Sequence, residues 1–184
     1  MQIIKKSRIF IFLFLASLLT VIIHEYGHFI MGTILGYNMG FDFNGSRPIG
    51  GAILDNTDLL LIVISGVFFT LIQSFIAYYL MKKLNYKRLY YLILTPFLYR
   101  LIPYLLSIIY PNRLVLQDEI KIGNILNINL YIIPFIIIMI LFFNCFIANK
   151  KYKIGFNQHL KLSFISIISF VIIIKLNQIL MISF

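Results

Sequence analysis

Two histidines and a glutamate stand close together in the stretch VIIHEYGHFIMG, residues Val21–Gly32. His24, Glu25 and His28 fit the pattern His-Glu-x-x-His. Residues four apart share one face of a helix, so both imidazoles could bind one zinc ion through nitrogens about 2.0–2.1 Å from it. Glu25 would act as general base on a water whose pKa zinc lowers toward about 7. The pattern predicts hydrolysis at zinc; the structural alternative is a polar cluster that joins helices by hydrogen bonds.

Most of the chain is apolar enough to lie in a membrane. Of its 184 residues, 61% are hydrophobic and 12% are charged, and a soluble domain could not cover that composition with polar surface. The apolar residues form five blocks, namely Ile9–Ile23, Leu59–Met81, Leu89–Tyr110, Ile128–Ile147 and Leu160–Phe184. Each block is near or above the roughly 20 residues that span a bilayer as a helix. The sequence therefore predicts an all-α membrane protein, a single polytopic domain over residues 1–184 with about five transmembrane helices.

Positive residues are concentrated at alternate helix ends, which would lie on one side of the membrane. They are Lys5, Lys6 and Arg8 before the first helix, Lys82, Lys83, Lys87 and Arg88 after the second, and Lys150, Lys151, Lys153 and Lys161 between the last two. The positive-inside rule then predicts a cytoplasmic N-terminus. The net charge of +10 is explained by this pattern and does not indicate nucleic-acid binding. Because the first block lacks a small-x-small cleavage site, we expect a retained helix and no signal peptide.

A zinc site built on two histidines needs a third protein ligand. His159 lies in a lysine-rich segment on the opposite predicted side of the membrane. The available carboxylates are Asp42, Asp55, Asp58, Asp118 and Glu119. Asp118 and Glu119 share the predicted side of the C-terminal half of the first helix. We predict Asp118 as the third ligand, with Glu119 as its substitute; the alternative for Asp118 is a solvated helix N-cap.

The segments between the helices carry further signals. Tyr37–Thr57 is rich in Gly, Asn and Asp, which predicts turns and a short strand around Ile49–Leu54. Gly50 and Gly51 would let an extended substrate approach and pair as an added strand, or they form an ordinary turn. Pro96 and Pro103 predict that the third helix is kinked or broken.

The motif and its surroundings resemble the site-2 protease family of intramembrane zinc metalloproteases. HEYGHFIMGTILGY is similar to that family's His-Glu-x-Gly-His and the glycines after it, and IGGAIL resembles its Gly-Gly stretch. ISGVFFTLI resembles a family helix in which Val67 replaces Pro and Thr70 replaces Asn. YRLIPYL resembles its Asn-Leu-x-Pro segment. The resemblance covers residues 9–124 and leaves 125–184 as two additional transmembrane helices.

The resemblance also implies roles for particular residues. The family's third zinc ligand is an Asp downstream of the Pro segment, which points to Asp118. Arg100 stands where the family has an Asn associated with substrate or oxyanion, and it could take that role or pair with Glu119 or with carbonyls freed by Pro103. Family members generally open their site toward the cytosol, whereas the charge pattern here places His24 nearer the outer face. The face at which cleavage occurs is left open.

These observations predict an intramembrane zinc metalloprotease in a bacterial cell membrane, with one zinc ion per chain. Its partners would be the lipid bilayer and a membrane protein or peptide precursor as substrate, with no nucleic acid; the sequence does not determine an oligomeric state. A catalytically silent regulator or immunity protein with the same fold is the first alternative, although it would not need Glu25. A metal-ion transporter is the second, although it would need ligand side chains on several spans.

Overall fold

The computed structural model describes the backbone of residues 2–42, 45–50, 54–110 and 117–181, and the side chains of 8–41, 45–50, 54–110 and 117–176. Over these ranges the chain forms six α-helices and one two-stranded sheet. Their order is α1 (Gln2–Ile34), β1 (Met39–Asp42), β2 (Gly45–Pro48), α2 (Asn56–Leu84), α3 (Tyr90–Ile109), α4 (Asp118–Ile125), α5 (Ile132–Tyr152) and α6 (Phe156–Met181). A single 3-10 turn, Lys87–Leu89, precedes α3.

Five of these helices are long and apolar enough to cross a membrane. The spans are Arg8–Ile34, Asn56–Leu84, Lys87–Ile109, Ile132–Tyr152 and Phe156–Leu176. The predicted all-α fold with five spans and a short strand segment after the first helix is therefore confirmed. With only eight residues, α4 is too short to cross a bilayer.

The strand segment lies earlier than the sequence pattern predicted. A strand was predicted around Ile49–Leu54, but Ile49 and Gly50 form a turn; residues 51–53 of that prediction lie outside the described residues. The strands that form are β1 and β2, an antiparallel hairpin. It packs against α1, where the Met39 side chain covers Gly32. This contact explains why the strand forms here, because an isolated two-stranded hairpin is marginally stable without a packing partner.

Hydrogen bonds between buried polar side chains join the helices in the bundle interior. Thr20 of α1 donates to Thr95 of α3 and accepts from Gln73 of α2, each at 2.9 Å. Asn144 of α5 donates to Ser74 of α2 at 2.7 Å. Inside a bilayer such bonds contribute on average about 0.6 kcal/mol each, and they fix which faces of the helices meet.

The start of α4 is fixed against α3 and α2. The amide of Gln117 donates to the carbonyl of Pro103 at 2.8 Å. Ile122 packs with Val63 and Val67 of α2. The third helix, predicted to be kinked or broken, is one continuous helix through Pro96 and Pro103, so it is not broken. The Pro103 carbonyl of this helix is the fixed acceptor for Gln117. These contacts determine where the first residues of α4 point.

Candidate metal centre

Two successive turns of α1 present His24 and His28 to the bundle interior. Their Nε2 atoms are 3.0 Å apart, and the two rings meet edge to face with centroids 4.5 Å apart. Their relative exposures are 2% and 5%, so the membrane and bulk solvent are both excluded. Burying two imidazoles in an apolar bundle is costly unless their nitrogens have partners.

A glycine of α2 makes room for both rings. A methyl group on Gly66 would lie 2.7 Å from His24 Cε1 and would overlap the His28 ring. On α1, Gly27 directly precedes His28, and a methyl group on it would lie 2.8 Å from the carbonyl oxygen of Ser65. The Ser65 hydroxyl donates to the Gly27 carbonyl at 2.8 Å. Small residues on both helices therefore bring α1 and α2 close together at the level of the histidines.

Asp118, the first residue of α4, completes a group of three donor atoms. Its Oδ2 lies 2.9 Å from His24 Nε2 and 3.2 Å from His28 Nε2. Adjacent ligands of a tetrahedral zinc site with bonds of 2.0–2.1 Å are roughly 3.3 Å apart. The three mutual distances here, 2.9, 3.0 and 3.2 Å, are close to that value. Two imidazoles and one carboxylate are also the ligand set of catalytic zinc sites that keep a position open, so the residues fit this metal.

The hydrogen bond at the other nitrogen of His28 sets its tautomer. Nδ1 lies 2.7 Å from the carbonyl oxygen of Ile62, which can only accept, so Nδ1 carries the proton. In the neutral ring Nε2 then holds a lone pair directed at the group of donor atoms. A metal-ligating histidine characteristically donates its second N–H to such a carbonyl.

His24 has two competing partners at Nδ1. Thr70 Oγ1 lies 3.2 Å away and donates its own proton to the Gly66 carbonyl, so its oxygen can accept from Nδ1–H. Arg100 Nη2 lies 2.5 Å away and can only donate, so it favours the tautomer with the proton on Nε2. Ligation through Nε2 requires the Thr70 partnership, and Arg100 must then move away from Nδ1.

Arg100 is paired with the second of the two adjacent carboxylates. Its Nε lies 3.2 Å from Glu119 Oε1, and both side chains are buried. Its Nη1 lies 3.9 Å from Asp118 Oδ2. Burial raises the pKa of the Glu119 carboxyl, and the Arg100 charge opposes that rise. Burial would raise the pKa of Asp118 too, but its hydrogen bonds to His24 and His28 outweigh burial and hold that pKa well below its usual range.

Glu25 lies beside the face of α1 that carries His24 and His28. Its Oε1 is 3.9 Å from His24 Nε2, and the residue is 6% exposed. The hydroxyl of Ser46, on β2, donates to the Glu25 main-chain carbonyl at 2.8 Å. The hairpin is thereby attached to α1 at the level of the site.

A cavity of about 540 Å³ opens beside these groups. His24, Glu25, His28, Arg100, Asp118 and Glu119 form its polar side. Its apolar lining comes largely from α6, with Ile167, Phe170, Val171, Ile173 and Ile174, and from α3, with Leu98, Ile102, Pro103 and Leu106. Gly45 and Ser46 of the hairpin also line it. The volume lies within the roughly 300–1,000 Å³ typical of ligand sites.

The structure brings together some of the predicted site residues and separates others. His24, His28 and Asp118 converge, while Glu119 points to Arg100, so the substitute ligand is not part of the group. Gly50 lies in an exposed turn with φ +82° and does not line the cavity; Gly51 lies outside the described residues. Sequence reasoning assigned no role to Thr70. Its signals were its place in ISGVFFTLI, where the resembled family has Asn, and its position four residues after Gly66, on the same face of α2.

Comparisons of the chain with protein-family models, with curated proteins and with solved structures find no match.

Proposed function

We propose that the chain is an intramembrane zinc metalloprotease that hydrolyses a peptide bond of a membrane-associated protein or peptide precursor. The observation that carries the proposal is the convergence of Asp118 Oδ2 on two imidazole nitrogens from residues 90 and 94 positions away. The resemblance of the His-Glu-x-x-His motif to the site-2 protease family supports the same reaction. His24, His28 and Asp118 would hold one zinc ion, which supplies a water of lowered pKa and polarises the substrate carbonyl.

Glu25 is the general base in this proposal. Its carboxylate takes a proton from the attacking water and passes it to the leaving amine. Its position supports this role, because Oε1 lies 3.9 Å from the ligating nitrogen of His24 and faces the same cavity. A site that only stored metal would not need a carboxylate beside the ligand set.

The cavity has the form that a substrate with an apolar side chain requires. A transmembrane helix hides its peptide carbonyls in its own hydrogen bonds, so it must unwind before a carbonyl can reach the polar side. The α6 wall would hold apolar side chains of the unwound segment. Arg100 would donate to the developing oxyanion once it leaves His24, while Glu119 keeps its charge paired.

The test compares wild type with Glu25→Gln and with the control Asp55→Asn. Asp55 is an acidic N-cap of α2 outside the cavity lining, and Asn caps equally well. We expect Glu25→Gln to retain zinc in the purified protein and to lower cleavage by about 10²–10⁴-fold. Cleavage is measured as new peptide N-termini in the membrane proteome of producing cells.

Each other result decides against a part of the proposal. Cleavage that persists in Glu25→Gln contradicts the role of the base. If wild type binds one zinc ion per chain but produces no more new peptide N-termini than Glu25→Gln, the protein is a catalytically silent regulator. Unchanged zinc content in His24→Ala contradicts the metal centre itself.

A further inference from the structure

A second, smaller cavity lies at the opposite end of the bundle from the metal centre. It has a volume of about 180 Å³ and is formed where the α2–α3 connection meets the α5–α6 connection. Lys87, Arg88 and Lys153 line it, together with Gln158 and three tyrosines. We name it the basic pocket. It is smaller than the roughly 300–1,000 Å³ of sites for drug-sized ligands, so it suits a small charged group.

The charges of the basic pocket are not balanced by acids. All six acidic residues of the chain lie within residues 25–58 and 118–119, which belong to the end that holds the metal centre. No carboxylate lines the pocket. Among the side chains that the structure describes, Lys87, Arg88 and Lys153 form no ion pair. Three cations around one concave surface make a strong site for an anion.

Uncharged contacts hold the Arg88 guanidinium, and a helix end fixes the backbone of Lys153. The Arg88 guanidinium lies over the Phe12 ring, 5.1 Å from its centroid, and over the Tyr86 ring at 5.8 Å. It also donates to the Tyr86 hydroxyl at 3.1 Å. Lys153 ends α5 in the left-handed conformation, φ 52°, and its main-chain N–H donates to the Asn149 carbonyl at 2.8 Å. The Arg88 contacts restrict its guanidinium without neutralising it, which lowers the entropy cost of binding an anion.

The level of the pocket in the bundle indicates the source of the anion. The pocket lies at the shared end of four membrane spans, where a bilayer passes into water. Tyr90, Tyr91 and Tyr152 line it, and tyrosines concentrate at this interface. Its remaining wall is apolar, from Ile154 and Leu162. A ligand with a phosphate and an apolar tail matches both parts.

We infer that the basic pocket binds the phosphate of an anionic phospholipid headgroup. A general excess of lysine at one membrane face would explain the number of cations at this end. It does not explain why three of them line one cavity with an apolar wall. Basic pockets between transmembrane helices are known to take such headgroups. The site is independent of zinc and of peptide cleavage.

The experiment measures lipid binding by native mass spectrometry of detergent-purified protein. The pocket variant is Lys87→Gln/Arg88→Gln/Lys153→Gln. The control, Lys82→Gln/Lys83→Gln/Lys150→Gln, removes the same charge at the same end outside the pocket lining. Each is titrated with phosphatidylglycerol, with phosphatidylcholine and with inorganic phosphate. We expect wild type to bind phosphatidylglycerol in preference to phosphatidylcholine, and the pocket variant to lose on the order of 100-fold in that affinity. The control variant should lose less than about fivefold.

Equal losses in the two variants would overturn the inference, because they would reveal only the general surface potential. Equal binding of phosphatidylglycerol and phosphatidylcholine by wild type would also overturn it. Inorganic phosphate that binds as tightly as the lipid, and displaces it, would assign the pocket to free phosphate and contradict the lipid source. Thermal unfolding of both variants in the same detergent checks that each is folded.

Discussion

Gly66→Ala tests whether the close packing of α1 and α2 controls the metal centre. The new methyl carbon would lie 2.7 Å from His24 Cε1, whereas carbon atoms in contact are about 3.5–4.0 Å apart. The His24 ring must therefore move by roughly 0.8 Å or α2 must withdraw. A metal site tolerates ligand distances within only about 0.2 Å. Loss of a group that hydrogen-bonds a metal ligand lowers metal affinity by about 10–100-fold. We expect Gly66→Ala to lower zinc affinity by at least as much, because it displaces a ligand directly.

The same substitution has a smaller effect on folding. Overpacking costs about 1–3 kcal/mol, and replacing Gly by Ala inside a helix returns roughly 0.5–1 kcal/mol. The free energy of unfolding should therefore fall by at most roughly 2.5 kcal/mol. Gly123→Ala is the matched control, because it also adds a helical methyl group, whose nearest neighbour would be the Ile128 carbonyl oxygen at an ordinary 3.4 Å. It should bind zinc as wild type does.

Competition titration against a chelator measures the zinc affinity of the three proteins, and thermal unfolding by circular dichroism measures their stability. A folded Gly66→Ala protein whose zinc affinity stays within twofold of wild type would refute the reasoning. That result would mean that the two histidines do not bind metal in the arrangement that Gly66 permits.

The other predictions concern the remaining contacts of the ligand set. Asp118→Asn should lose most bound zinc, whereas Glu119→Gln should retain it, because only Asp118 contacts both histidines; metal analysis of purified protein that gave the reverse order would exchange their roles. Thr70→Val should weaken zinc binding by about 10–100-fold, because His24 Nδ1–H loses its acceptor, while Thr70→Ser should restore it. Equal zinc affinities of Thr70→Val and Thr70→Ser in chelator titrations would show that Thr70 does not orient His24.

The membrane spans could be predicted because their signal is local. Each span is a long apolar run, and run length alone identifies it. The hairpin could not be placed in the same way, because Gly-rich and Asn-rich segments favour turns at many positions. What selects Met39–Asp42 and Gly45–Pro48 is contact with α1, including Met39 over Gly32 and Ser46 at the Glu25 carbonyl. Such contacts between distant segments leave no periodic pattern in a sequence.

The candidate metal centre was predictable only in part, for a related reason. Spacing of four identifies His24 and His28 as neighbours on a helix. For the carboxylates, the sequence offered two adjacent candidates and no means to rank them by geometry. Because α4 begins at Asp118, successive side chains diverge by about 100° around its axis. Asp118 therefore faces the histidines and Glu119 faces Arg100, and this depends on where Gln117 fixes the helix start.

The long distance in sequence between the histidines and Asp118 also sets an order of events during biosynthesis. Asp118 follows His28 by 90 residues, so the ribosome makes it several seconds later, roughly 5–18 s at 5–20 residues per second. During that interval three spans can enter the bilayer with two imidazoles in place and no third donor. Under the proposed zinc site, tight metal binding would have to wait until α4 packs against α2 and α5. A nascent chain with this site would therefore bind metal tightly only after the helices around the cavity have assembled.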